Sequence, residues 1–425
     1  MVLTKVSSGY KGELFIHSPR VELFGGKIRL VAFVDAPIPY GSSEVFIEVS
    51  KSYGEYLCYE RSDAFLVCFL RFAMSNGLDI RCEAPVGEEI LYNLRTYLIP
   101  SLSDHCHDLY ATKIFATVDS CELPNLGAVG TGASLGIDSM HSILHHLNSG
   151  YKGHNLTHLV LNNVGAYEPN RGAGQFEWKC ARARDFAAEV GLELVEINSN
   201  LASLFGWWNC HFFDLTNTYV NASTVLALQK FWRTYYYSSW GHDFSYFSLC
   251  HINDHDSACY DLLSLNAFSS RQLRFHPEGG AKSRVSKTRD VASFPLAHKY
   301  LHVCTDDRGP NCMKCSKCKR TLVTLDALEV LDAFKDVFDV EYYRAHRSDY
   351  LRWLVKEELR HGHDTYTGEA YKILKTRHAD RGGGIPISDS AFAHIVVGLE
   401  KILPTHAIIP MLKLKRAFSF NKRES

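Results

Sequence analysis

The sequence predicts an α/β protein. A doubly wound parallel sheet is preceded by a mixed α+β unit and followed by a cysteine knuckle and a helical region. Three observations carry that expectation. Strand-like and helix-like patterns alternate through residues 120–300, as in a parallel sheet with helices on both faces. The 425 residues exceed one ordinary hydrophobic core, so two or three domains are expected. Four of the 13 cysteines crowd into residues 304–318, apart from the rest. The expected division is 1–115, 120–300 and 301–425.

Residues 1–115 carry short alternating runs at 13–17, 27–35 and 44–49, with turns at Gly25-Gly26 and Pro39-Tyr40-Gly41. Ser62 or Asp63 caps a helix over 64–76 with Phe65, Val67, Cys68, Leu70 and Phe72 inward, and Gly77 ends it. A short strand at 79–84 and a helix at 87–99 follow. His105, Cys106, His107 and Asp108 are all able to bind metal, but four adjacent residues cannot all face one ion, so a structural role is expected there.

The middle segment opens with a small, apolar strand at 126–133. A tight turn follows, Ser134-Leu135-Gly136-Ile137-Asp138-Ser139. Met140, Ile143, Leu144 and Leu147 then mark one helix face, with Gly150 as the expected cap. A strand that turns directly into a helix N-terminus gathers free backbone N–H groups and the positive end of the helix dipole, which suits a phosphate. A second strand is expected at 156–164, ending at Asn162-Asn163. A polar loop at 168–175 leads to a helix at 176–190 burying Trp178, Ala181, Phe186 and Val190, closed by Gly191. A third strand (192–197), a helix (219–231, with Val220, Val225, Leu226, Leu228 and Phe231 buried) and a fourth strand (234–239) complete the alternation. In such sheets ligands sit beyond the carboxyl ends of the strands, where the 134–139 turn lies.

Residues 241–300 include His242, His251, Asp254, His255, Asp256 and Asp261, which suit either a substrate loop or a solvated one. A helix over 282–290 would put Arg284, Lys287 and Thr288 on one face. Two cations three residues apart suit an oligophosphate or a plain solvated face.

Cys304, Cys312, Cys315 and Cys318 follow a C-x7-C-x2-C-x2-C pattern. Four thiolates around one tetrahedral zinc is the expected outcome, and an iron–sulfur cluster is the alternative. The other nine cysteines (58, 68, 82, 106, 121, 180, 210, 250 and 259) fit small apolar positions. Beyond the knuckle, helices are expected at 320–338, 350–359 and 390–402. Arg381-Gly382-Gly383-Gly384 suits a loop and the basic stretch 413–423 a solvated tail.

Hydrophobic residues make up 46% of the chain and charged ones 22%, with a formal net charge of −1. No whole-chain electrostatic argument for a nucleic-acid or membrane partner follows. Neither a signal peptide nor an apolar run of about 20 residues is present, so a cytoplasmic protein without a membrane partner is expected. The turn is not a Walker loop, because no lysine follows Gly136. Gly130, Gly132 and Gly136 are also spaced one residue too widely for the dinucleotide fingerprint.

Ser134-Leu135-Gly136-Ile137-Asp138-Ser139 resembles the S-G-G-x-D-S loop of the PP-loop ATP pyrophosphatases, with Leu135 where the family usually has its first glycine. That superfamily includes GMP synthetase, asparagine synthetase, tRNA thiolation enzymes and 7-cyano-7-deazaguanine synthase. The downstream cysteines are similar to the zinc site of the last of these. The order of elements also resembles a group of uncharacterised bacterial PP-loop proteins. It runs from a 63–94 segment through the loop, a 222–239 segment and R-x-x-K at Arg284–Lys287 to C-x2-C-x2-C-x-R-T at Cys312–Thr321. The likeness covers most of residues 60–335.

The resemblance implies a HUP-like nucleotide-binding domain and an AMP- and pyrophosphate-forming synthetase using ATP, Mg²⁺ and Zn²⁺. A carboxylate or carbonyl substrate would be adenylated and passed to a nitrogen nucleophile, as in 7-cyano-7-deazaguanine synthase. The acceptor would be a small molecule or a protein terminus, in a defence (antiviral) or biosynthetic pathway. It further implies that Ser134, Leu135, Gly136, Ile137, Asp138 and Ser139 hold the pyrophosphate, with Asp138 orienting Mg²⁺. Arg284 and Lys287 would offset transition-state charge, and Asn162 would border the adenine. Nucleic acid is not an expected partner, and the oligomeric state stays open, a homodimer included. Two other readings remain: a PP-loop sulfurtransferase carrying persulfide on Cys210 or Cys250, and a nucleotide-binding scaffold without catalysis.

Overall fold

The computed structural model describes residues 12–37, 39–106, 108–165, 174–207, 213–239, 244, 247, 257–304, 309–361 and 366–380. The chain forms two compact units, 1–283 with 294–302, and 284–293 with 303–425.

The first unit is α/β. Its strands are β1 (Glu13–Ile16), β2 (Arg20–Phe24), β3 (Lys27–Ala36), β4 (Gly41–Val49), β5 (Asp79–Cys82), β6 (Val86–Gly87), β7 (Ile114–Phe115), β8 (Val118–Asp119), β9 (Ala128–Gly132), β10 (His158–Asn162), β11 (Glu193–Ser199), β12 (Trp232–Ser238) and β13 (Arg274–Glu278). Eleven of them share one sheet in the order β13-β12-β9-β10-β11-β4-β3-β1-β5-β7, with β2 on the free side of β3. β6 and β8 form a separate parallel pair.

The five strands β13-β12-β9-β10-β11 are parallel throughout. By chain order they read 5-4-1-2-3, the doubly wound arrangement. Its direction reverses at β9, which lies between β10 and β12, so the loop leaving β9 emerges at the topological switch point. Gly130 lets that centre close. A Cβ there would stand 2.6 Å from Cζ3 of Trp232, which is fully buried on β12.

The expected boundary near 115–120 falls within this sheet. β4 pairs antiparallel with β11, Ile47 opposite Ser199 and Glu48 opposite Asn198. Asn200 extends the ladder with its side chain, accepting from Phe46 N at 3.0 Å and donating to Glu44 O at 2.7 Å. The Asp63–Asn76 helix packs on the Phe213–Ala227 helix, and every residue from Asp63 to Met74 is buried. Gly77 ends it in the left-handed conformation, as expected.

Several local expectations shift. β2 was not anticipated, and it has no buried residue although Val21, Leu23 and Phe24 are apolar. The helix expected to close at 99 passes through a π turn (Leu94–Leu98) and continues as Ile99–His105, with Pro100 in its first turn. The helix after β9 spans Ile137–Leu147 and ends at Asn148, short of Gly150. On the Gln175–Val190 helix the buried stripe is Gln175, Lys179, Cys180, Ala183, Phe186 and Ala187, while Ala181 is exposed.

The second unit is helical among its described residues. The Ser316–Ala327 helix packs on the Arg284–Ala292, Arg347–His361 and Gly368–Asp380 helices. The single helix expected at 320–338 is broken. Glu329 turns left-handed at φ +60°, and Arg377 satisfies the end carbonyls, reaching Asp326 O at 3.0 Å and Ala327 O at 2.7 Å. Among the described residues no helix is long and apolar enough to cross a membrane.

Candidate functional site

The β9 loop is built from short polar side chains and one apolar anchor. Ser134 Oγ donates to Ser139 Oγ at 3.1 Å, and Ser139 Oγ donates to Gly136 O at 3.1 Å. Met140 N closes the first helical turn on Gly136 O at 2.9 Å. Ser142 Oγ donates to Asp138 O and accepts from Ser238 Oγ at 2.9 Å, tying the helix to the end of β12.

Leu135 is left-handed, at φ +60°. That conformation costs a branched residue roughly 1–2 kcal/mol and is one glycine adopts freely. The leucine is held by burial, at 1% exposure, and its carbonyl accepts from His302 N at 2.8 Å. The backbone therefore follows the path a glycine would take, with the side chain directed into the protein. Ser134 remains exposed, and Gly136 and Asp138 are partly so.

Asp138 sits in the first turn of its helix, where the dipole favours an anion.

Asn162 ends β10. Its Nδ2 donates to Asn221 Oδ1 at 3.2 Å, and Asn221 Nδ2 donates to Asn217 O at 2.8 Å. Tyr237 OH reaches Asn217 Oδ1 at 3.2 Å. Asn162 Oδ1 is buried with no hydrogen-bond donor among the described residues. The strand end thus offers an amide acceptor held by an amide network. Behind it, Thr218 and Ser239 both donate to the buried Asp261.

Lys179 was not anticipated. It is 6% exposed, its Nζ meets His302 Nδ1, and His302 N is the group that holds Leu135 O. No apolar rhythm marks it: Lys179 lies four residues after Gln175 and four before Ala183, on a stripe that only the structure shows as buried.

In the second unit, Cys304, Cys312, Cys315 and Cys318 bring their sulfurs within 4.8 Å of one another. Cys312 and Cys318 Sγ are 3.9 Å apart, against about 3.8 Å for the edge of a tetrahedron with zinc–sulfur bonds of about 2.3 Å. Backbone N–H groups point at the sulfurs, Lys314 N and Cys315 N at Cys312 (3.4 and 3.3 Å) and Cys318 N at Cys315 (3.4 Å). Cys315 thereby caps the Ser316–Ala327 helix. Asn311 fixes the other arm, accepting from Val303 N and Cys304 N and donating to Val337 O.

The Cys318 thiol is driven far above its ordinary range by hydrogen bonds with Cys304 and Cys315 and by burial. The cluster can hold a metal such as zinc.

Arg284 and Lys287 belong to the second unit and are buried, Lys287 completely, so they are not a solvated basic face. In the N-terminal segment, His105 Nδ1 pairs with Ser101 O and Asp108 with Arg71, as suits a structural role. His107, Cys210, His242, Cys250, His251, Asp254, His255, Asp256 and the stretches 168–173, 381–384, 390–402 and 413–423 lie outside the described residues.

Fold and loop together define an α/β protein with a strand–loop–helix turn at the switch point of its sheet. No protein-family model, curated protein or solved structure matches the chain.

Proposed function

We propose that the chain is an ATP-dependent, AMP- and pyrophosphate-forming synthetase of the HUP-like PP-loop kind. In this reading it adenylates a carboxylate or carbonyl substrate and passes it to a nitrogen nucleophile. The observation that supports this best is the left-handed backbone of Leu135, because the residue that departs from the motif keeps the backbone path of the glycine it replaces.

The roles follow from the chemistry of the loop. Loop N–H groups and the Ser134 and Ser139 hydroxyls bind the leaving pyrophosphate. Asp138 holds Mg²⁺, which neutralises phosphate charge when bound. Asn162, at the end of β10, borders the adenine through backbone contacts. The cysteine cluster holds a structural zinc, since four thiolates leave no open coordination position. The acceptor is a small molecule or a protein terminus, and the protein acts in the cytoplasm.

The test is nucleotide product analysis with a cell extract as the source of acceptor. AMP and pyrophosphate in equal amounts, lost in Asp138→Ala, are expected. ADP and inorganic phosphate would contradict the reading. Bound but unconverted ATP would favour the scaffold, which Leu135 keeps in view because its side chain departs from the motif.

A further inference from the structure

Three side chains that have no role above converge beside the same helix. His141 and His145 occupy consecutive turns of Ile137–Leu147, with ring centroids 4.1 Å apart. Glu278 ends β13, and its Oε1 lies 3.5 Å from His145 Nδ1 and 3.9 Å from His141 Nδ1. One ligand atom from each residue lies within 4.8 Å of the other two. With metal–ligand bonds of about 2.0–2.2 Å, the edge of a zinc tetrahedron is roughly 3.3–3.6 Å, so little movement closes the set.

The second oxygen of Glu278 is already held. His146 Nε2 lies 2.9 Å from Oε2, and the His146 ring stacks on Tyr236 at 3.5 Å with planes 9° apart. Three imidazoles around one carboxylate are more than an ion-pair cluster needs.

We propose that His141, His145 and Glu278 bind a zinc ion, with His146 as the residue that orients the glutamate. The site is separate from the cysteine cluster and does not depend on whether the loop binds nucleotide. Three protein ligands leave a coordination position for solvent, on the side where His145 is 37% exposed.

The experiment is calorimetric titration of zinc chloride into the full-length chain, purified with whatever metal its cysteine cluster carries. His145→Ala, Glu278→Gln and His146→Ala are compared with wild type, and elemental analysis tracks the cysteine metal in each. Wild type is expected to take up one further equivalent. His145→Ala and Glu278→Gln, changing a partly exposed ring and a near-isosteric carboxylate, should lose it while retaining the cysteine metal. His146→Ala should weaken it by about 10–100-fold, the usual effect of losing an orienting partner. No further equivalent in wild type, or equal uptake by the variants, which marks an adventitious ion, would overturn the proposal.

Discussion

At the scale of single residues, Leu135 joins two opposed terms. Its backbone strain costs roughly 1–2 kcal/mol, and removing a buried leucine costs roughly 2–5 kcal/mol. Burial wins, so Leu135→Gly is expected to destabilise the protein by roughly 1–3 kcal/mol while leaving Mg–ATP affinity equal or better. Denaturant unfolding and nucleotide titration of the same variant check both halves. A loss of affinity in parallel with stability would show that the side chain itself shapes the phosphate site. The sequence marks Leu135 as the departure from the motif but cannot show where its side chain goes. A φ of +60° is not written in residue type, because leucine rarely adopts it. Lys179 escaped for a related reason: a lysine on a buried stripe contradicts the polarity rule that finds stripes.

At the scale of elements, β9 is the strand on which the site depends, and Gly130 is its most constrained position. Ala at 130 would drive a Cβ against the buried Trp232 ring and should cost about 1–3 kcal/mol, read as a lower denaturation midpoint. An unchanged midpoint would mean that β12 moves aside freely. In the knuckle, Cys318→Ser should lower zinc content below one per chain and destabilise the Ser316–Ala327 helix, whose N-cap is Cys315. Full zinc occupancy in that variant would remove Cys318 from the ligand set. The cysteine spacing and the strand–loop–helix turn were legible because both are local. The break at Glu329 was not, because Leu328, Leu331 and Phe334 continue an apolar rhythm across it. Nor was β2 read as a strand, although Arg20-Val21-Glu22-Leu23-Phe24 alternates; its apolar side chains stay exposed.

At the scale of the whole molecule, the alternation through 120–300 announced four of the five parallel strands, but not β13 (Arg274–Glu278), which lies in a stretch without a strand pattern, nor the order or neighbours of the others. β4 alternates like any half-buried strand, and nothing in its own residues names β11 as its partner; pairing is a long-range property. Asn200, which bridges Phe46 and Glu44, is the local trace of that union and looks like a turn residue in isolation. The second unit has no strand among its described residues, and its Ser316–Ala327 helix starts at a cysteine of the cluster. Stripping that metal with a strong chelator should produce an earlier melting transition in scanning calorimetry, reversed by added zinc. A single transition unmoved by the chelator would make the cluster dispensable to folding.

The central claim is that the β9 loop is a pyrophosphate-holding loop for ATP. Its most direct test is calorimetric titration of Mg–ATP into the full-length chain and into Asp138→Ala. The account predicts stoichiometric, magnesium-dependent binding by wild type, weakened at least about tenfold, or 1.4 kcal/mol, in the variant. Absence of binding by wild type in the presence of Mg²⁺ would contradict it.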